Sequence, residues 1–267
     1  VPTDRVLPDL TVALLQAESA PGDIEANVSS VVAATEAARE FGARLLVLPE
    51  LALTGYELDL LGDDDLWLTV DDPRLAPLRA TVADTGVTIV LTAALVLVDG
   101  TRQLAALACL ADGSVVTQGK QHLHGQEHDL FSPGSPATET VDVDGWAVAL
   151  AVCLDVAHPS HAAHARGLGA DLYTCSTLYT EGEERRVDVH GAARAMDNRM
   201  FSAIANHVCA TGAGFACGSS GAWAPDGERI AAAGTSTGLT LATLDAALLV
   251  VPTSAVEAAV TPAVPVF

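Results

Sequence analysis

Arg44-Leu45-Leu46-Val47-Leu48-Pro49-Glu50 is the stretch whose reading decides the fold, and Trp146-Ala147-Val148-Ala149-Leu150-Ala151-Val152-Cys153 repeats its logic a hundred residues later. Each is a short apolar run of the kind buried on both faces of a sheet. Each also stops abruptly at a residue able to do chemistry. Upstream of the first, Leu10 to Ala17 reads as another strand. The turn Pro21-Gly22-Asp23 follows, and Asp23 is placed to cap a helix whose apolar positions Ile24, Val28, Val31, Val32, Ala38 and Phe41 keep helical spacing up to Gly42. Downstream, the acidic segment Asp63 to Asp72 is expected on the surface and Pro73 to Asp84 as a helix. Strands are expected at Val87 to Val98, Arg102 to Ala111 and Val115 to Lys120, because Asp99-Gly100 and Asp112-Gly113 between them are hairpin signals.

Beyond the second run, Pro159 opens a helix reaching Gly169. Asp171 to Cys175 is expected as a strand, Arg185 to Met200 as a helix and Phe201 to Cys209 as a strand. A hairpin through Pro225-Asp226-Gly227 and a strand from Leu239 to Val251 complete the order. Strands that alternate with helices and also pair as hairpins predict an α/β fold with mixed sheets and helices outside. No composition break divides residues 1–267, so one domain is expected, with the proline-containing tail from about 252 lying over the body or against a second subunit.

The chain of 267 residues has 50% hydrophobic residues and 13 basic against 34 acidic side chains, a formal charge of −21. A mean hydropathy of +0.35 raises the question of a membrane. The apolar runs fall short of the roughly 18 to 20 residues that cross a bilayer, so no membrane partner is expected. Nucleic acid is disfavoured too, since a sequence pI near 4.4 gives a surface that repels phosphates. A small molecule is the expected partner. Val1-Pro2-Thr3-Asp4-Arg5 lacks the basic start and apolar core of a secretory signal, and Cys109, Cys153, Cys175, Cys209 and Cys217 form no Cys-x-x-Cys pair. A cytoplasmic protein with free thiols is the expectation.

Among the basic residues Lys120 is the one lysine, in a segment dense in polar groups for so apolar a chain. Coding bias accounts for arginine over lysine; a need for a compact ammonium accounts equally well for the exception. Glu50 alone reads as a loop carboxylate and Cys153 alone as a small core residue. Together, Glu50, Lys120 and Cys153 have the makings of a thiol acyl-transfer site. A thiol needs a base, which Glu50 supplies if burial raises its pKa. The tetrahedral intermediate needs positive charge near its oxygen, which Lys120 supplies with the backbone N–H that follows the nucleophile.

The order of these motifs resembles the carbon-nitrogen hydrolases of the nitrilase superfamily. Leu48-Pro49-Glu50-Leu51-Ala52-Leu53-Thr54-Gly55-Tyr56 is similar to their first signature. Lys120-Gln121-His122-Leu123, with Glu127 and Phe131 beyond, is similar to the second, and Val152-Cys153-Leu154-Asp155 with Pro159 to the third. Gly169-Ala170-Asp171, Arg194 to Asn198, Asn206, Gly218 to Gly221 and Asp226-Gly227 follow in family order. The resemblance implies a four-layer α-β-β-α sandwich, dimeric through helices beside the active site, that hydrolyses non-peptide carbon-nitrogen bonds without a cofactor. It makes Cys153 the nucleophile, Glu50 the general base and Lys120 the oxyanion stabiliser. Glu127 becomes an orienting carboxylate, Leu154 a backbone N–H donor, and Tyr56 part of the substrate-facing motif. Arg194 and Asp197 read as structural. Leu154-Asp155-Val156-Ala157-His158 lacks the arginines with which relatives handle carboxylate-bearing carbamoyl substrates, and Cys153-Leu154-Asp155 is closer to the amidase pattern than to the Cys-Trp-Glu of nitrilases. A small neutral amide is therefore the expected substrate, with a nitrile or N-carbamoyl compound as the alternative.

Two readings of another class remain open at this level. His122, His124 and His128, with His158, His161 and His164, could belong to a metal-dependent hydrolase, though the sequence offers no clear fourth ligand. The chain could also be a binding module that keeps the fold without the activity. Cys109, Cys175, Cys209 and Cys217, like Trp146 and Trp223, read as packing residues.

Overall fold

The computed structural model describes residues 6–249. In chain order the strands and helices are β1 Leu10–Gln16, α1 Ile24–Glu40, β2 Leu45–Val47, α2 Ala76–Thr85, β3 Thr88–Val96, β4 Arg102–Cys109, β5 Val115–Gly119, the one-turn α3 Glu127–Leu130, β6 Thr140–Val143 and β7 Trp146–Val152. There follow α4 Pro159–Gly167, β8 Leu172–Thr177, α5 Glu184–Asn198, β9 Phe201–Asn206, β10 Val208–Thr211, β11 Gly214–Cys217, β12 Gly221–Trp223, β13 Arg229–Ala232 and β14 Gly238–Leu244. Two six-stranded sheets result, ordered β14-β1-β2-β3-β4-β5 and β13-β12-β9-β8-β7-β6, with β10-β11 as a separate ribbon. Both are mixed. Parallel triplets β1-β2-β3 and β7-β8-β9 occupy their centres, with antiparallel strands on either side.

The sheets stack face to face with helices outside, the expected four-layer α-β-β-α sandwich. The alternation in β7 shows how the sequence specifies the layers: Val148, Leu150 and Val152 join the core between the sheets, whereas Ala149 and Ala151 join Tyr173, Cys175, Ile204 and Trp223 beneath α4 and α5. Large side chains fill the space between the sheets, and alanines let the outer helices approach. At Gly191 of α5 a Cβ would lie 2.4 Å from the Trp223 ring, so this contact requires glycine. On the other sheet, α2 packs against β3 and β4 and α1 packs beside α2, with Ile24, Val28, Val31, Leu78 and Val82 joining the core. Asp23 caps α1 as expected, accepting from Ala26 N at 3.0 Å.

Three expectations change. In Asp63 to Asp72 the three leading aspartates are exposed, but Leu66, Trp67 and Leu68 are buried, and Trp67 packs on Phe131 with ring centroids 5.4 Å apart. The apolar triplet outweighs the acidic average. Phe201 to Cys209 is two strands, parted at His207, whose buried side chain turns inward to Glu50 O, and the second strand runs on to Thr211. The last strand ends at Leu244, followed by a 3₁₀ turn Ala246–Leu249; Val250, Val251 and the tail from about 252 lie outside the described residues.

Candidate active site

Four chain segments converge at the carboxyl ends of the central parallel strands, where open α/β sheets place their ligands. Glu50 follows β2 at the close of Leu48-Pro49. Its backbone is fixed from both sides: Glu50 N donates to Thr177 O at 3.3 Å, and the buried His207 Nε2–H donates to Glu50 O. Leu51, at φ +51°, turns the chain away and donates its N–H to Thr92 Oγ1 at 2.6 Å. Lys120 directly follows β5, where Gly119 and Gly134 cross so closely that a Cβ on Gly134 would lie 2.1 Å from Gly119 O. Gly134 N donates to Lys120 O at 2.7 Å, which anchors the strand end.

The Lys120 ammonium is fully buried between two carboxylates, with Nζ 2.7 Å from Glu50 Oε1 and 2.6 Å from Glu127 Oε1. Glu127 is oriented in turn by Tyr56, whose hydroxyl donates to Oε1 at 2.8 Å, and by His124 N, which donates to Oε2 at 2.8 Å. Cys153 begins a 3₁₀ turn, Cys153–Ala157, directly after β7, and holds φ +43°, a conformation unusual for a residue with a Cβ. Its thiol donates to Leu178 O over 3.8 Å. It lies near enough to Glu50 to bias that carboxyl's ionisation, yet Glu50 Oε2 has no hydrogen-bond partner of full geometry. Leu154 is the second residue of the turn, where an N–H has no acceptor within the turn itself.

Burial pushes the Glu50 carboxyl up from 4.5 to about 7, with the Lys120 ammonium opposing and the Glu127 charge adding to the rise. Burial also holds the Cys153 thiol well above its ordinary value; Glu50 reinforces this and Lys120 opposes it. Desolvation works against the charge on Lys120, but Glu50, Cys153 and Glu127 more than offset it and keep the ammonium protonated. At neutral pH the arrangement is thus a protonated thiol beside a half-ionised carboxyl and a permanent cation.

All six sequence-selected residues, Glu50, Tyr56, Lys120, Glu127, Cys153 and Leu154, come together here. Tyr56, Glu127, Cys153 and Leu154 line a cavity of about 290 Å³ with His124, Leu178, Tyr179, Thr180, Glu183, Arg186 and Ala213. The last six of these were missed from sequence. Leu178 to Arg186 follows β8, the parallel strand between β7 and β9, and its position at a strand's carboxyl end was the available signal. A larger depression of about 490 Å³ near Pro21, Leu60 and Arg74 is open and acidic and contains none of the converging groups.

His122, His158 and His161, from the two histidine clusters, have other partners. His122 Nδ1 bonds Asp155 at 2.8 Å, His122 and His158 stack with centroids 3.6 Å apart, and His161 Nδ1 bonds Tyr173 OH at 2.9 Å. Among the described residues no group of three or more His, Cys, Asp or Glu is placed to hold a metal ion. Likewise no helix among them is long and apolar enough to cross a membrane.

Residues 11–250 match the carbon-nitrogen hydrolase family. The chain belongs to it. A hydrolase of Pseudomonas protegens from the pqqF 5′ region is 32% identical over 242 residues, covering 90% of this chain and 84% of the relative. Among solved structures, an amidase from Nesterenkonia sp. AN1 superposes with a TM-score of 0.82 at 27% identity. Its glutamate-to-glutamine mutant, with acrylamide added at the active-site cysteine, covers 90% of this chain and 95% of its own. Its cysteine-to-alanine mutant in complex with butyramide also has a TM-score of 0.82 and 27% identity, covering 90% and 92%. This carbon-nitrogen hydrolase is accordingly a thiol-dependent enzyme of the amidase type within the nitrilase superfamily.

Proposed function

We propose that the enzyme hydrolyses a small neutral amide to a carboxylic acid and ammonia through a thioester on Cys153. The observation that carries this reading is the buried Lys120 ammonium held between Glu50 and Glu127 beside the Cys153 cavity. Cys153 Sγ attacks the amide carbon while Glu50 takes its proton, which a carboxyl near 7 can do without storing a free thiolate. The C=O π electrons move to oxygen, where the Lys120 ammonium and the Leu154 N–H stabilise the oxyanion. Collapse of the intermediate breaks the C–N bond, and protonated Glu50 delivers the proton that lets ammonia leave. Glu50 then activates a water to attack the thioester, releasing the acid and restoring the thiol. Glu127 and Tyr56 orient Lys120 and the substrate. The absence of arginine in Leu154 to His158 supports the neutral class.

The same reading carries a homodimer formed through α5, on which Val189 and Met196 are about half exposed, and a cytoplasmic location consistent with five free cysteines. It also carries a single hydrolase domain. Ammonia release from a panel of aliphatic and aromatic amides, matching nitriles and N-carbamoyl compounds, tested beside Cys153→Ala, decides the matter. Release from amides that disappears in the variant is the expected result; release from nitriles or carbamoyl compounds alone would move the substrate to another branch.

A further inference from the structure

Asp155 is the buried carboxylate that the proposed chemistry does not use. It is fully buried, yet it lies two residues after Cys153 and its acceptors are heavily occupied. Oδ1 accepts from His122 N at 3.0 Å, Gln121 N at 3.2 Å and His122 Nδ1 at 2.8 Å; Oδ2 accepts from Val152 N at 3.2 Å. The first three donors belong to the two residues after Lys120. The fourth is the N–H of Val152, the residue immediately before Cys153. One carboxylate therefore ties the end of β5 to the end of β7, two strands from different sheets with no ladder between them.

We propose that Asp155, with His122 as its side-chain donor, is a positioning clamp that fixes the Lys120 ammonium relative to the Cys153 thiol and to Glu50. The inference deepens the proposed thiol mechanism and rests on it. Asp155 touches none of the reacting atoms; it acts through the three backbone N–H groups it holds, on the two segments that carry Lys120 and Cys153. The Val152 bond closes the first turn of Cys153–Ala157 and so supports the positive φ of Cys153. The Gln121 and His122 bonds hold the chain that carries Lys120, whose buried stem points to Glu50 and Glu127. The surroundings are built to keep the clamp in place. His122 stacks on His158, and His161 lies on the other side with Nε2 3.7 Å from Oδ2 and Nδ1 engaged by the Tyr173 hydroxyl. Cys175, His164 and the Cys153 thiol are the remaining titratable groups nearby; around Glu50 they are Lys120, Glu127, Tyr56 and Cys153.

The clamp makes a prediction that a purely structural carboxylate would not. Because Lys120 holds the Glu50 pKa down against burial, loosening the Lys120 end lets it rise. The test compares wild type with Asp155→Asn and His122→Phe, the second keeping a ring to stack on His158 while removing both ring nitrogens, including the Nδ1 that bonds Asp155. The first readout is the rate of Cys153 alkylation by iodoacetamide against pH, followed by mass spectrometry of the Cys153 peptide; it requires no knowledge of the substrate. In both variants the midpoint is expected to move to higher pH, by about half a unit or more in Asp155→Asn, equivalent to roughly threefold slower reaction below the midpoint. The second readout is ammonia release on an accepted amide, where kcat is expected to fall on the order of ten- to a hundredfold with KM within about twofold, as for a misplaced catalytic group. Variants that melt earlier but keep the wild-type midpoint and kcat would overturn the clamp. If Asp155→Asn does not fold, His122→Phe alone decides, and a wild-type midpoint in it is the overturning result. Wild-type protein that alkylates with a midpoint near neutrality but releases ammonia from nothing would instead sink the proposed amidase reading and leave the clamp standing.

Discussion

Glu50 after β2 and Asp155 after β7 are both fully buried carboxylates at the carboxyl ends of parallel strands, and they are treated in opposite ways. Asp155 is surrounded by N–H donors from three peptides and one imidazole, so its oxygens have nothing further to offer. Glu50 shares one oxygen with Lys120 and leaves the other without a partner, beside the Cys153 thiol. A buried acceptor left unmatched is costly, and its cost appears as a carboxyl pushed up to about 7. The contrast teaches that burial alone does not make a carboxylate reactive. The unsatisfied lone pair does, when a proton donor stands next to it.

The strongest way to break this comparison is at the chemical end. Cys153→Ala is expected to lower ammonia release by a factor on the order of 10⁴ or more while the melting temperature stays close to wild type. Glu50→Gln is expected to cost about 10² to 10⁴ in kcat/KM, the range for loss of a general acid and base. Recovery of near wild-type kcat/KM in Glu50→Gln would remove the distinction between the two carboxylates.

Lys120→Met leaves Glu50 and Glu127 facing each other in a dry site. It is expected to abolish turnover and to destabilise the fold by about 3–5 kcal/mol, measurable by urea unfolding. At the other end of the comparison, Asp155→Ala strands the N–H groups of Gln121, His122 and Val152. A loss of about 1–3 kcal/mol for each group left unsatisfied is expected in the same measurement.

A milder probe is pH. The unfolded Glu50 carboxyl titrates near 4.5 and the folded one near 7, so the folded state binds the extra proton between those values. The Glu50 contribution to stability is therefore present below about 4.5 and is lost as pH rises through about 7, whereas kcat/KM rises through the same upper limit as the base ionises. A stability curve for Glu50→Gln that declines across this window as steeply as wild type would contradict the assignment. The smallest effect is expected at the solvent-facing Arg44–Asp144 pair, 2.7 Å apart but with both side chains about two-fifths exposed. There Asp144→Asn should change the unfolding free energy by less than ~1 kcal/mol.

Much of this was legible in particular residues. The big-small alternation of Trp146 to Val152 and the unbroken apolarity of Leu45 to Leu48 state a buried sheet, because side chains on successive residues must face opposite sides. Asp99-Gly100 and Asp112-Gly113 state hairpins because glycine tolerates the positive φ found there, +84° at both Gly100 and Gly113. Other features depended on contacts that no local pattern encodes. Leu66, Trp67 and Leu68 are buried in spite of their acidic neighbours, since Phe131 comes from a distant segment to cover Trp67. His207 interrupts an apolar run because its acceptor, Glu50 O, lies 157 residues away in sequence.

The sequence by itself determined the order of the central strands and the long helices, though not β6, α3 or the β10-β11 ribbon, together with the two strand ends that carry Glu50 and Cys153 and the residue types needed for thiol chemistry, since these follow from periodicity and from what each side chain can do. Only the tertiary structure decided that Lys120 would be shared between Glu50 and Glu127, that the histidines near Cys153 would be engaged by Asp155, Tyr173 and one another, and that Leu178 to Arg186 would wall the cavity. Those outcomes depend on distance and desolvation between segments far apart in the chain, and a carboxylate's pKa is set by which donors reach it once water has been excluded.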